Sequence, residues 1–185
     1  MGSAVSLPLR AGDGKGGALT ESLLVALGSN LPDASGRSSL DLCRWALQQL
    51  ASHPALTLEA TSAWYRTAPV PISDQPDFIN GVARLSGAIE PAALLALLHA
   101  IEAEAGRVRT VPNAARMLDL DLLAAGDRII DTPDLILPHP RLADRAFVLH
   151  PLCDVAPFWR HPALGRTALE LRDALPPQRI QRLLP

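Results

Sequence analysis

Two acidic residues alternate with leucines in the stretch Leu118-Asp119-Leu120-Asp121-Leu122, and this spacing could bring both carboxylates to one site. If the stretch is a β-strand, residues two apart share a face and lie about 6.6 Å apart, so the acids project together while the leucines face a core. Neighbouring carboxylates repel each other unless a cation lies between them, and oxygen ligands of this kind suit Mg²⁺. The alternative is a half-exposed strand whose solvent-facing side is acidic.

Cationic side chains surround this acidic pair in the sequence. Gly106-Arg107-Val108-Arg109 and Arg116 precede it, and His139 and Arg145 follow it. Arginines beside metal-binding acids can hold a polyphosphate whose metal ions bind to those acids. Each of these arginines could equally be an ordinary surface charge, and the histidine could lie in a solvent-exposed turn.

Apolar periodicity and turn residues predict the elements that must position these groups. Strands are predicted at 23–27, 56–65, 78–89, 117–124 and 128–130, and helices at 38–51 and from Pro91 to Gly106. A polar turn is predicted at 28–33, a long loop at 68–77, and a hairpin turn at Gly126-Asp127. The order is strand, helix, strand, strand, helix, strand with a C-terminal addition. It predicts an α+β, ferredoxin-like fold, an antiparallel sheet with helices packed on it.

Composition limits the class of protein. A chain of 185 residues with 48% hydrophobic and 19% charged residues predicts one globular domain, which we expect at 21–185 after a flexible leader at 1–20. The net charge of −2 argues against nucleic-acid binding, and no apolar run is long enough to span a membrane. Cys43 and Cys153 have no metal-ligand spacing, so we expect reduced thiols and a cytoplasmic location. We expect a monomer, because no conspicuous exposed apolar stripe remains once the core is assigned.

Several short motifs occur in a fixed order along residues 23–175. They are Ala26-Leu27-Gly28-Ser29-Asn30-Leu31, residues 62–69, Gln75-Pro76-Asp77-Phe78-Ile79-Asn80, Ile101-Glu102, Gly106-Arg107-Val108-Arg109, residues 116–123, Pro138-His139-Pro140 and Arg145-Ala146-Phe147. In this order and spacing the chain resembles the 6-hydroxymethyl-7,8-dihydropterin pyrophosphokinases of folate biosynthesis. The resemblance implies an enzyme that moves the β,γ-pyrophosphoryl group of ATP to the hydroxymethyl group of the pterin and releases AMP.

The resemblance also implies a role for particular residues. Asp119 and Asp121 would bind a pair of Mg²⁺ ions and, with Arg107 and Arg116, form the catalytic centre. The implied ATP-binding residues are Arg109, Arg116, His139 and Arg145. The implied pterin-binding residues are Thr67, Ala68, Val70, Phe78, Asn80 and Phe147. The two phenylalanines would stack on the flat pterin, although each could instead be an ordinary core residue.

The chain departs from the family pattern in the loop at 107–116 and at Ala68 and Pro140. The loop lacks the Trp with which some members cover the pterin, and Ala115 stands where Pro commonly precedes the arginine. We expect this loop to close over the substrates through other contacts. Two further functions compete with the enzyme, namely a pterin- or nucleotide-binding module without activity and an RNA-binding domain. The second lacks both an aromatic platform motif and a basic face.

Overall fold

The computed structural model describes residues 20–70, 73–106 and 117–184. The predicted leader, apart from Thr20, and the loop at 107–116 therefore lie outside the described residues. The described elements, in chain order, are β1 (Glu21–Ser29), α1 (Ser39–Ser52), β2 (Leu56–Thr61), β3 (Tyr65–Thr67), β4 (Phe78–Gly87), α2 (Pro91–Glu104), β5 (Asp119–Ala125), β6 (Ile130–Asp131), β7 (Ile136–Leu137), α3 (Ala146–Val155), α4 (Ala168–Asp173) and β8 (Ile180–Arg182).

An antiparallel sheet forms the centre of the fold, with strand order β5-β1-β4-β3-β8 and with β2 also paired to β4. The two central strands are β1 and β4, and β1 pairs with β4 along its whole length, from Glu21 with Gly87 to Ser29 with Ile79. This order places the first and third strands of the βαββαβ unit side by side at the centre. The predicted ferredoxin-like arrangement is confirmed, and β8 adds a strand to its far edge.

The sheet separates two apolar clusters, because alternate residues of a strand face opposite sides. On β1, Leu23 and Val25 pack with α1 and α2, whereas Leu24 packs on the other side with α3 and α4. The helices therefore form a layer on each face of the sheet. Among the described residues, no helix combines the length and the apolar character needed to cross a bilayer.

Helix α2 begins and ends where its sequence predicts. Pro91 is its first residue, a position that needs no backbone N–H donor. Gly106, just after the helix, has a φ of +86°, a left-handed conformation that favours glycine. Helix α1 begins after Ser38, whose side chain accepts a hydrogen bond from the N–H of Asp41 at 3.2 Å.

The single strand predicted at 56–65 is wrong, because the chain forms β2 and β3 with a break at 62–64. At the break, the Ser62 backbone N–H donates to the Val82 carbonyl at 2.9 Å, and the Ser62 hydroxyl accepts the Val82 N–H at 2.9 Å. The side chain thus replaces the backbone carbonyl that a continuous strand would supply. Both halves still pair with β4.

The predicted hairpin around Gly126 is also wrong. A turn is present, with the Arg128 N–H donating to the Ala125 carbonyl at 3.0 Å, but β6 pairs with β7 in a separate small sheet. The Arg128 side chain donates hydrogen bonds to the carboxylate of Glu21, the first residue of β1, at 2.7 Å and to the carboxylate of Glu90 at 2.8 Å. These contacts direct the chain away from β5 after the turn.

Candidate active site

A cavity of about 240 Å³ lies between the α3 face of the sheet, the start of α3 and the loop after β3. Its lining residues are Gly28, Thr67, Ala68, Pro69, Val70, Ser73, Gln75, Phe78, Asn80, Asp119, Asp121, His139, Arg141, Arg145 and Phe147. Every site residue predicted from the sequence that lies among the described residues is in this set. Arg107, Arg109 and Arg116 lie outside the described residues.

The floor of the cavity is one face of three neighbouring strands. Gly28 of β1 pairs with Asn80 of β4 on one side and with Asp119 of β5 on the other. Directly paired residues share a face of the sheet, and so do residues two apart, which adds Phe78 and Asp121 to the same face. The order of the strands thus brings a motif from each of three distant parts of the chain to one surface.

The acidic pair has the orientation that the alternation predicts. Leu118, Leu120 and Leu122 are at most 3% exposed and pack on the α1–α2 side of the sheet. The two aspartates project to the opposite face and into the cavity, and the Asp121 side chain is 32% exposed. Both carboxylates can therefore meet a ligand in the cavity.

Glu102 of α2 holds the strand that carries the acids. Its side chain is buried, at 2% exposure, and its Oε1 accepts the N–H of Leu120 at 2.8 Å. Strand β5 lies at the edge of the sheet, so one row of its backbone groups has no neighbouring strand to bond. The glutamate supplies an acceptor for that edge at the residue between the two aspartates.

Gly28 is a cavity residue that the sequence analysis does not identify, because it predicts a polar turn at residues 28 and 29, which instead complete β1. A Cβ atom on Gly28 would lie 3.2 Å from Asn80 Oδ1, inside the cavity floor. A glycine within a strand often marks a close approach by a ligand or another chain, and that signal could have identified it.

Buried hydrogen bonds build the side of the cavity formed by β3 and β4. Asn80 is 7% exposed and Thr67 is 5% exposed, and Asn80 Nδ2 donates to Thr67 Oγ1 at 2.8 Å. Phe78 pairs directly with Thr67 across the strands. This side therefore combines an amide, a hydroxyl and an aromatic ring whose positions the sheet determines.

The loop after β3 is held from the other side by Asn30. This residue is 3% exposed, and its Nδ2 donates to Gln75 Oε1 at 3.1 Å and to the Pro76 carbonyl at 3.3 Å. Ala68 and Val70, both predicted to bind the pterin, lie in this loop and line the cavity. The sequence places Gln75 in a motif but predicts no role for it, because its contact with a residue 45 positions away gives no local signal.

A carboxylate, an imidazole and a guanidinium lie close together on the other side of the cavity. His139 Nε2 and Arg145 Nη1 each lie 3.9 Å from Asp121 Oδ2, which is longer than a hydrogen bond. The His139 N–H donates to the Leu123 carbonyl at 2.9 Å, which ties the loop after β7 to β5. A phosphate group can approach both the imidazole and the guanidinium from the cavity.

The protonation state of His139 follows from its contacts. Its Nδ1 accepts the N–H of Arg141 at 3.2 Å, so the proton of the neutral ring lies on Nε2, which faces Asp121. Burial lowers the pKa of His139 below its usual range; the Asp121 carboxylate opposes this shift, and the Arg145 and Arg141 guanidiniums add to it. The neutral ring is a hydrogen-bond donor to the cavity.

The start of α3 closes the cavity opposite the sheet. Arg145 precedes the helix, and its guanidinium carbon lies 5.2 Å from the centre of the Phe147 ring. Phe147 is only partly buried against the apolar cluster below α3, so part of its ring remains available. Arg141, a further cation that the site prediction omitted, is exposed at the same cavity.

The donor set of the cavity fits a hard divalent cation. Asp119 and Asp121 supply carboxylate oxygens on one face of β5, with room beside them for phosphate oxygens and water. Sulfur ligands are absent from the lining residues described here, which argues against a soft metal. Both cysteines are free, and Cys43 is fully buried.

Comparisons with known proteins converge on one family. Residues 24–157 match the model of the family described as 7,8-dihydro-6-hydroxymethylpterin-pyrophosphokinase. The chain is 43% identical over 165 residues to the 2-amino-4-hydroxy-6-hydroxymethyldihydropteridine pyrophosphokinase of Pseudomonas aeruginosa, covering 89% of this chain and 98% of that protein. It is 34% identical to a folic acid synthesis protein of Pneumocystis carinii, covering 89% of this chain and 22% of that one.

A solved structure gives the same fold. The wild-type HPPK-DHPS protein of Plasmodium falciparum superposes with a TM-score of 0.63 at 15% identity, over 84% of this chain. This chain spans 44% of the length of that one. At such low identity the similarity concerns the fold alone.

Proposed function

The chain belongs to the 7,8-dihydro-6-hydroxymethylpterin-pyrophosphokinase family, and we propose that it transfers the β,γ-pyrophosphoryl group of ATP to 6-hydroxymethyl-7,8-dihydropterin in folate biosynthesis. One observation carries the assignment of the site: the acidic pair, the cations and the aromatic residues of separate motifs all line one cavity. In the reaction, the hydroxymethyl oxygen bonds to the β-phosphorus, the bond from that phosphorus to the α,β-bridging oxygen breaks, AMP leaves, and the hydroxyl proton passes to solvent.

Asp119 and Asp121 would hold Mg²⁺, which supplies neutralisation of phosphate charge and polarisation of the β-phosphoryl group when it is bound. The two acids share one face of β5, and Glu102 fixes the backbone between them. Their task in the reaction is to keep the polyphosphate at a defined position beside the pterin hydroxyl.

The ATP phosphates would bind to the cationic side of the cavity. His139 can donate a hydrogen bond from Nε2, and the Arg145 guanidinium can donate two parallel hydrogen bonds to phosphate oxygens. Arg141 adds a second cation at the same cavity, while Arg107, Arg109 and Arg116 are proposed for the phosphates on the sequence resemblance. Positioning and charge stabilisation would provide most of the rate enhancement, as in other phosphoryl transfers.

The pterin would bind between the phenylalanines, against β3 and β4. Phe78 and Phe147 offer ring faces for stacking on the flat bicycle. Asn80 already donates to Thr67, which orients the amide so that its oxygen can accept from the amino edge of the pterin. The hydroxymethyl group of a pterin held in this way would point towards Asp119 and Asp121, across Gly28.

Product analysis tests the reaction. The protein is incubated with ATP labelled at either the β- or the γ-phosphorus, the pterin alcohol and MgCl₂, and the products are separated by chromatography. We expect equimolar AMP and a pterin that carries either label, with no product when the pterin is omitted. EDTA should stop AMP release and added Mg²⁺ should restore it, since the donor set suits a hard cation.

Two outcomes would contradict the proposal. Release of ADP would indicate transfer of a single phosphoryl group and hence an ordinary kinase. Binding of both ligands without AMP formation would favour the non-catalytic pterin- or nucleotide-binding module, against which the convergence of acids and cations in one cavity now argues.

We also propose that the protein acts as a monomer in the cytoplasm. Its free cysteines suit a reducing compartment, and its proposed substrates are small molecules. Light scattering across a range of protein concentrations measures the mass directly, and a constant value near 19.7 kDa is expected.

A further inference from the structure

We propose that Gln178, in the C-terminal segment 178–182, is a positioning residue that fixes the distance between two sides of the substrate cavity. The segment lies beyond residues 24–157, the part that matches the family model. It contacts both the start of α3 and the edge of β3. The inference rests on the proposed function, because it concerns the geometry in which the pterin binds.

The first contact supports the start of α3. Gln178 Oε1 accepts the N–H of Ala146, the first residue of the helix, at 3.3 Å. The first N–H groups of a helix have no acceptor within the helix, and α3 has no side-chain cap from the residue before it. Gln178 therefore supplies the acceptor that an N-cap side chain would provide, although it lies 32 residues away in the sequence.

The second contact is a backbone ladder. Strand β8 pairs with β3, from Arg182 with Tyr65 to Ile180 with Thr67, and the Leu183 N–H donates to the Trp64 carbonyl at 2.8 Å. Thr67 in turn accepts the hydrogen bond from Asn80. The C-terminal segment thus reaches the hydrogen-bonded pair that forms one side of the cavity.

Little chain separates the two contacts. Ile180 follows Gln178 by two residues, which span about 6.6 Å when extended. On either side of Ala146 lie Arg145 and Phe147, both of which line the cavity. A link this short leaves α3 little freedom to move relative to β3, so the Phe147 ring stays at a defined distance from Thr67 and Asn80.

The chain offers a matched control for Gln178. Gln181 has the same side chain, lies in β8 and is exposed. We compare Gln178→Ala, Gln178→Glu and Gln181→Ala by measuring the Kd of the pterin alcohol by calorimetry, in the presence of a non-hydrolysable ATP analogue and MgCl₂. Hydrogen exchange of residues 146–149 in the free protein reports on the contact itself.

Gln178→Ala should raise the pterin Kd about threefold to tenfold, the range expected for loss of one hydrogen bond, and should speed exchange at 146–149. Gln178→Glu keeps an acceptor oxygen and should bind within twofold of the natural protein. Gln181→Ala should match the natural protein in both measurements.

Equal pterin affinities for Gln178→Ala and Gln181→Ala would overturn the inference, and so would a Gln178→Glu variant as weak as Gln178→Ala. A general loss of stability would lower the melting temperature without this pattern of rescue. Failure of the proposed function is a separate result: the natural protein would release no AMP, while the binding comparison among the variants would still judge the role of Gln178.

Discussion

On the side of the cavity formed by β3 and β4, Asn80 and Thr67 are almost fully buried and hydrogen-bonded to each other at 2.8 Å. On the side formed by β5 and the loop after β7, the Asp121 carboxylate is 32% exposed, with His139 and Arg145 both 3.9 Å away. On the first side the two polar groups are at hydrogen-bonding distance. On the second side, the His139 and Arg145 nitrogens lie beyond hydrogen-bonding distance of the Asp121 oxygen, and a ligand can bind between them.

The difference follows from what each side is proposed to bind. A flat, neutral pterin is recognised by shape and by hydrogen bonds, which a rigid surface provides at little entropic cost. A polyphosphate with metal ions brings its own charge, and its oxygens can form charge-assisted hydrogen bonds with the guanidinium and imidazole groups of that side. We therefore expect variants of the β3–β4 side to lose stability and pterin affinity together, and variants of the charged side to lose activity or ATP affinity at nearly unchanged stability.

The largest effect is expected from the acidic pair. Asp119→Asn and Asp121→Asn each keep the shape of the side chain but remove the charge that would hold the metal, so kcat should fall at least about a thousandfold. Because these side chains are partly exposed, the melting temperature should change by no more than a few degrees. Steady-state AMP release and thermal unfolding of the same samples measure the two quantities.

Asp127→Asn is the matched control, since Asp127 is exposed in the turn after β5. It should behave as the natural protein in both measurements. Near-normal Mg²⁺-dependent AMP release by either active-site variant would mean that the pair is the acidic solvent-facing edge of an ordinary strand. A large loss of stability in both would break the proposed contrast between the two sides.

How far the sequence predicts this site depends on whether the signal is local. The strict alternation at 118–122 is a local pattern, and it correctly orients the leucines to the core and the acids to the cavity. The βαββαβ order likewise predicts the sheet, because each element has its own periodicity. The motifs of the resemblance name the other described cavity residues that were predicted, though their roles stay predictions.

Long-range contacts explain most of what the sequence does not predict. Gln178 caps a helix 32 residues away, and Arg128 bonds Glu21, 107 residues away, as the chain leaves β5. The break after β2 depends on the Ser62 hydroxyl meeting the Val82 N–H, which no local pattern reveals. In each case the two bonded groups become neighbours only once the sheet has formed.

A smaller effect on activity, with a larger effect on stability, is expected from Asn80→Ala. The variant removes a buried amide that donates to Thr67, so the free energy of unfolding should fall by about 1 to 3 kcal/mol. The pterin Kd should rise about tenfold through loss of the same amide, while the ATP Kd should change little. Urea unfolding and calorimetry with each ligand measure these quantities.

Ser86→Ala is the control for this variant, since Ser86 lies on the same strand and face but outside the cavity. It should leave both affinities unchanged. If Asn80→Ala weakened pterin binding at full stability, the amide would be a ligand contact only, and its hydrogen bond to Thr67 would not hold the β3–β4 side in place before the pterin binds.

The smallest effect is expected from Arg141→Ala, and its salt dependence separates the two sides of the cavity. Arg141 is exposed at the cavity, so its attraction to a phosphate is screened by solvent and should be worth only about a twofold to fivefold change in ATP Kd. The difference should be clear at about 0.05 M salt and should vanish at about 0.5 M, where the screening length falls to roughly 4 Å. The pterin affinity of Asn80→Ala, which depends on buried hydrogen bonds, should keep its deficit at both salt concentrations.

Arg44→Ala is the control, since this arginine is 56% exposed on α1 and does not line the cavity. If the Arg141 deficit persisted at high salt, the guanidinium would be desolvated on binding, and the charged side would be as preformed as the side that holds Asn80.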